Sequence, residues 1–153
     1  IRFSKNKTPY KTNMGASINR GGKKSIYAGY YFHAEPGGKS FVGGGLWMPM
    51  GPELKKIRQE IDYCFEEFKN IVEAKSFTAE YKELENTTDL KLNNLPRGYD
   101  KENPASEYLK FKSLVATKYI PDVELTSNTL ADKTIKTFKA LMPLIKFINK
   151  AIE

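Results

Sequence analysis

Two periods of apolar residues divide the chain. Residues 26–34 (Ile-Tyr-Ala-Gly-Tyr-Tyr-Phe-His-Ala) and 40–48 (Ser-Phe-Val-Gly-Gly-Gly-Leu-Trp-Met) are rich in aromatic and β-branched side chains, and Glu-Pro-Gly-Gly-Lys separates them. That pattern predicts two strands joined as a hairpin by a four- or five-residue turn. Asn19-Arg20-Gly21-Gly22 predicts an earlier turn, with residues 14–19 as the strand before it. A turn at Pro36–Lys39 sets Glu35 opposite Ser40, His33 opposite Val42 and Tyr31 opposite Gly44. The His33 face then continues through Val42 and Gly44 to Leu46.

From Pro52 the period changes. Leu54, Ile57, Ile61, Phe65, Phe68 and Val72 recur at spacings of three and four, one face of a helix. Pro52 suits the first helical turn, where its missing N–H costs nothing. A continuous helix to Ala74 is long, so a break is expected near Tyr63, with a further short helix over 76–83. Residues 86–104, with Asn93-Asn94, Pro96-Arg97-Gly98 and Asn103-Pro104, read as a connection. Pro104 opens a short helix through Lys112, and residues 114–120 read as a strand stopped by Pro121. A last helix runs from about Asn128 to Ile152, with Ser127 or Asn128 as cap. Its core stripe is Ile135, Phe138, Leu141, Ile145 and Ile148, and Pro143 is expected to kink it. Residues 1–50 are thus mainly β, and 51–153 mainly α with one strand near 114–120. The fold class is α+β, a single domain over 1–153, with an antiparallel sheet built mainly from the N-terminal third and packed against C-terminal helices.

Composition narrows the chemistry. The 153 residues, 40% apolar and 28% charged, suffice for one ordinary core. One cysteine and one histidine argue against a disulfide framework, a Cys-cluster metal site and a His-pair zinc motif, so no metal site is expected. No apolar run reaches the roughly 18 to 20 residues of a membrane span, and a cytoplasmic setting is the default expectation. The chain opens on Ile1 inside an extended stretch and reads as a piece of a longer protein.

The net charge of +7 is uneven. Residues 1–50 carry Arg2, Lys5, Lys7, Lys11, Arg20, Lys23, Lys24 and Lys39 against Glu35 alone, and the rest is neutral. Such a field attracts phosphate, carboxylate or an acidic segment of the same protein.

Side chains alternate along a strand, so Tyr27, Gly29, Tyr31, His33 and Glu35 share one face. The sole histidine and the sole acid of the first 50 residues are therefore together, an arrangement suited to acid/base work because imidazole titrates near neutrality. Gly43, Gly44 and Gly45 in a strand sacrifice packing and backbone entropy. A ligand, a bulge or an aromatic ring laid over bare backbone would compensate. The functional reading is a pocket floored by Gly43–Gly45 and walled by Tyr31, His33, Glu35 and Trp47, with Arg2 and Lys11 as anion contacts. The competing reading is packing alone: a satisfied histidine among aromatics, and glycines that accommodate sheet curvature. The triplet has neither Walker nor dinucleotide-fingerprint spacing. Cys64 reads as a buried, inert thiol within the helix, and adjacent Glu66 and Glu67 diverge around it.

The leading expectation is a small anionic ligand at the hairpin face, with His33 and Glu35 as candidate acid/base residues. One alternative is a nucleic-acid-binding module, since Tyr10, Tyr27, Tyr30, Tyr31 and Phe41 lie near Lys11, Arg20 and Lys39. Another is a non-catalytic interaction or scaffold domain. The residues name no substrate, cofactor or oligomeric state.

Three strings in order, Arg2-Phe-Ser-Lys-Asn-Lys-Thr-Pro-Tyr-Lys11, Gly29-Tyr-Tyr-Phe-His-Ala-Glu-Pro-Gly37 and Ser40-Phe-Val-Gly-Gly-Gly-Leu-Trp-Met-Pro49, resemble the uncharacterised family called domain of unknown function 2461. Leu54 to Ile61, Pro96-Arg-Gly-Tyr99 and Leu109-Lys-Phe-Lys112 agree with it, so the resemblance covers nearly the whole chain. It implies a helical region upstream of Ile1. It also implies motif positions at Arg2, Ser4, Pro9, Tyr10, Lys11, His33, Glu35, Gly43, Gly44, Gly45 and Trp47. Asn6 stands where the family pattern has an acid, which makes the basic segment more basic here.

Overall fold

In the computed structural model, which describes residues 10–22 and 24–153, the two periods become a sheet and a helical layer. Strands β1 (Met14–Asn19), β2 (Gly29–Ala34) and β3 (Ser40–Leu46) pair antiparallel in chain order. A last strand, β4 (Leu114–Ile120), pairs antiparallel with β3, giving the order β1-β2-β3-β4. Helices α1 (Gly51–Tyr63), α2 (Phe65–Val72), α3 (Lys75–Tyr81) and α4 (Ser106–Leu109) lie between β3 and β4 in sequence. Short α5 (Asp122–Leu125) and long α6 (Leu130–Ile152) follow. The sheet is α+β in arrangement, with strands early and helices mostly late.

Helix α6 covers one sheet face. Its Phe138 ring lies 4.8 Å from that of Tyr30. The Asn149 amide accepts from Ala28 N–H at 2.7 Å and donates to Ala28 C=O at 3.2 Å, satisfying backbone that precedes β2. Ile57, Ile61, Phe68, Phe77, Leu141, Leu144 and Ile148 are fully buried between α6 and the earlier helices. The expected break falls at Cys64, whose φ −114° and ψ 40° are not helical. Glu66 and Glu67 then occupy the first turn of α2, where the helix dipole favours acids. Cys64 thus sits at a junction rather than inside a helix. It is half-buried, and burial pushes its thiol up, away from nucleophilic character.

Several expectations are corrected. His33 stands opposite Phe41, Phe32 opposite Val42 and Tyr31 opposite Gly43, one residue from the expected register. The turn takes in Glu35 as well as Pro36–Lys39, because Gly37 and Gly38 adopt φ of 88° and 73° and donate their N–H groups to the Asp122 carboxylate at 2.8 and 3.0 Å. A one-residue slip reverses facing, so Phe41 and Gly43 join the His33 face while Val42 and Leu46 turn to the core. Asp122 comes from α5, which the sequence pattern does not reveal. Helix α4 is shorter than the expected 104–112 helix. Helix α6 begins at Leu130, its N-cap Thr129 makes no side-chain cap bond, and Ile135, at 51% exposed, lies off the core stripe. The helix continues through Pro143 as one element.

The glycine triplet has a backbone reason. At Gly45, φ is +116° and a Cβ would run into the Leu114 carbonyl oxygen of β4. At Gly44 a Cβ would meet the Gly29 carbonyl oxygen of β2 and Leu141 of α6. Neighbouring strands therefore approach β3 more closely than any side chain allows. Gly45→Ala is expected to lower stability by about 1–3 kcal/mol, the scale of backbone strain at such a φ, read as a shift of the urea midpoint.

Across the other side of α6, Glu80 ties three elements. Its carboxylate, 7% exposed, holds Lys118 of β4 at 2.5 Å and Lys136 of α6 at 2.9 Å. The Lys118 hydrogen bond, ahead of that from Lys136, holds this carboxyl below its usual 4.5. A folded-state value below the unfolded one stabilises fully at neutral pH, and that contribution is lost as pH falls through the folded value. Glu80→Gln should therefore be less stable than the parent at pH 7 and converge with it in acid. Urea unfolding at both pH values checks this; parallel profiles would refute it.

Candidate functional site

The face of the sheet turned away from α6 is built from three rows. Gly15, His33, Phe41 and Tyr119 form one, and Ser17, Tyr31, Gly43 and Thr117 the next. Asn19, Gly29, Gly45 and Val115 form the third. In the second and third rows the outer strands carry Ser17, Asn19, Thr117 and Val115, whereas the middle strands are bare apart from Tyr31. That ring leans away toward the first row, since a Cβ on Gly15 would strike its hydroxyl. Aromatics thus gather at one end: Tyr31 and Phe41 at 5.8 Å between centroids, Phe41 and Tyr119 edge-on at 6.1 Å. Tyr27 and Trp47 stand at the other end.

Between these two aromatic walls lies a cleft of about 680 Å³ whose floor includes Gly29, Gly44 and Gly45. Its size falls within the range of small-molecule sites. The side beyond β4 is closed by the segment after α3, anchored by Glu85 N–H donating to Val115 C=O at 2.9 Å. The Glu85 carboxylate accepts a hydrogen bond from the Thr117 hydroxyl, and Leu90 lies beside it in the lining. No lysine or arginine among the described residues lines the cleft. Trp47 and Tyr119 are 65% and 68% exposed, large rings left open at its rim.

His33 and Glu35 are brought together, beside the cleft rather than in its lining. His33 Nε2 lies 3.1 Å from Glu35 Oε2, and Lys39 donates to Oε1 of the same carboxylate at 3.2 Å. The hydrogen bond from His33, then that from Lys39, holds the Glu35 carboxyl below the usual carboxylate range. With the proton on Nε2, Nδ1 faces the Tyr31 hydroxyl at 3.5 Å, and the ring stacks on Phe41 at 4.9 Å.

The remaining sequence-derived candidates divide. Tyr31, Gly44, Gly45 and Trp47 line the cleft; Gly43 does not, and Lys11 is exposed away from the lining. Arg2, with Lys5, Lys7 and Lys23, lies outside the described residues. Arg20 pairs with Glu153 and lies over the Tyr27 ring at 4.7 Å. Sequence reasoning missed Thr117, Tyr119 and Glu85. The first two alternate on the strand expected over 114–120 and become visible once it is known to flank β3. Glu85 sits in a connection and carried no signal. Among the described residues no three His, Cys, Asp or Glu side chains converge on a metal position, and no helix is long and apolar enough to cross a membrane.

The molecule is therefore an α+β protein whose antiparallel sheet has helices on one face and an aromatic-walled cleft on the other. The chain belongs to the conserved hypothetical protein family DUF2461, domain of unknown function 2461, whose family model matches residues 1–147. No curated protein and no solved structure matches it.

His33→Ala removes the larger of the two hydrogen bonds on Glu35 and leaves Lys39. The Glu35 carboxyl should then titrate closer to 4.5, followed by carboxyl-carbon NMR. An unchanged titration would show that the pair does not form in solution.

Proposed function

We propose that this protein is a ligand-binding domain whose site is the cleft on the open sheet face, and that it takes a small molecule bearing a planar ring. The observation that carries the reading is the pair of aromatic walls, open to solvent, that flank the bare Gly29–Gly45 floor. A flat ring laid there touches backbone below and finds Tyr31, Phe41 and Tyr119 on one side and Tyr27 and Trp47 on the other. Removing exposed rings from water supplies the driving force.

The polar complement favours a positive charge or hydrogen-bond donor on that ligand. Glu85 is the carboxylate in the lining, and aromatic faces attract cations by about 0.5–2 kcal/mol each. An anionic ligand needs cations supplied from elsewhere, Arg2 and Lys11 being the sequence candidates. An acid/base role for His33 and Glu35 needs a ligand that extends past Phe41.

Trp47 is the sole tryptophan, so its fluorescence reports on the cleft. Three probes share one ring and differ in charge: benzyltrimethylammonium, benzyl alcohol and phenyl phosphate. The cation is expected to bind tightest, and Tyr119→Ala or Glu85→Gln should weaken it about tenfold, ~1.4 kcal/mol. Tightest binding by phenyl phosphate, abolished in Lys11→Ala, would replace this reading with the anionic one. No saturable signal from any probe would overturn the cleft as a ring site.

A further inference from the structure

Among the described residues β1 is an edge of the sheet, and it is bare. Every residue from Met14 to Ile18 is exposed, Met14 at 74% and Ile18 at 58%. Sheet edges are ordinarily guarded by a charge, a proline or a bulge, because unpaired N–H and C=O groups are a template for another strand. Residues 12–19, Thr-Asn-Met-Gly-Ala-Ser-Ile-Asn, contain no charge and no proline, and β1 pairs with β2 without a bulge.

We infer that β1 is the seam of a homodimer, two copies pairing antiparallel about a two-fold axis that passes beside Ala16, normal to the sheet. Such an axis keeps each side chain on its own face, so residues that meet must have the same parity along the strand. With Ala16 opposite the partner's Ala16, Met14 meets the partner's Ile18 and Gly15 meets the partner's Ser17. The strand is an apolar palindrome about its centre: Met14, Ala16 and Ile18 on the helix side, Gly15 and Ser17 on the cleft side. Shifting the centre to Gly15 places Ile18 against the partner's Thr12, and shifting it to Ser17 places Met14 against the charged Arg20 of the partner subunit. The palindromic register alone matches the two large apolar side chains with each other.

Helix α6 adds to the same seam. Ile135 and Met142 are exposed, at 51% and 39%, and helical spacing sets them on the side of α6 that carries Phe138 and Asn149, which contact Tyr30 and Ala28. That side faces β2 and, beyond it, β1. The dimer places the helical layers of both copies on one side of an eight-stranded sheet. The two clefts lie on the other, neighbours across the seam, since Ser17 and Asn19 belong to both β1 and the cleft lining. The inference does not depend on what the cleft binds.

Sedimentation velocity from micromolar to submillimolar concentration tests it, with circular dichroism to confirm folding. The parent chain should sediment as a particle of twice 17.4 kDa. Ile18→Lys should be a folded monomer, since the new charge lies against an apolar partner. Adding Met14→Glu should restore the dimer, because Glu then meets Lys across the seam twice, whereas within one strand the two positions are four residues apart and out of reach. A monomeric parent at all concentrations overturns the inference, as does an Ile18→Lys variant that remains dimeric. A monomeric double variant overturns the palindromic register.

Discussion

The close approach of backbone to β3 is the constraint from which the rest of the molecule follows. At Gly44 and Gly45 the space a Cβ would need is already occupied by carbonyl oxygens of β2 and β4. A strand with side chains there would hold its neighbours farther off, and Leu141 of α6 would lose its seat against Gly44. The cost of three glycines in a central strand is therefore offset by tight interstrand contact on one side and helix packing on the other. The bare floor of the cleft follows from the same fact. It needs no selection for a ligand to exist, which is why the aromatic walls, and not the glycines, carry the functional argument.

The two faces of the sheet differ in a way that alternation alone does not explain. On the helix side the residues are large and buried, and β4 contributes Leu114, Ala116 and Ile120. On the other side the rows run from aromatic to bare, with Trp47 and Tyr119 left in water. A packing explanation accounts for His33: one ring nitrogen faces Glu35, the other faces Tyr31, and the ring stacks on Phe41. Trp47 and Tyr119 stay largely exposed at the cleft rim, the latter meeting Phe41 edge-on.

Much of the architecture was legible in the sequence because it rests on short-range signals. The strands over 29–34 and 114–120 follow from aromatic and β-branched runs, the strand over 14–19 from the turn at Asn19–Gly22, and the break at Cys64 from a helix too long for one core. The hairpin register was not legible, because it turns on Asp122, remote in sequence, whose carboxylate clamps Gly37 and Gly38 and favours the longer loop. Ile135 fits the spacing of the α6 stripe yet stays 51% exposed. In the site, Tyr31, Gly44, Gly45 and Trp47 came from strand alternation and composition. Glu85 could not, because its place is fixed by a backbone bond to β4 rather than by a local pattern.

Charge shows the same difference between linear and spatial order. The excess of positive residues in the first third suggests an anion site, but where the described residues show partners, those partners are carboxylates. Arg20 reaches Glu153 at the far end of the chain, and Lys39 reaches Glu35 one turn away. Each such pair cancels the field that a count along the sequence would predict. Among the described residues the cleft is lined by rings and by Glu85, with no lysine or arginine in the lining. A net charge of +7 thus describes how the protein meets a charged surface at a distance, whereas under the proposed reading a ligand's charge would be decided within a few ångströms, by a carboxylate and the faces of the rings.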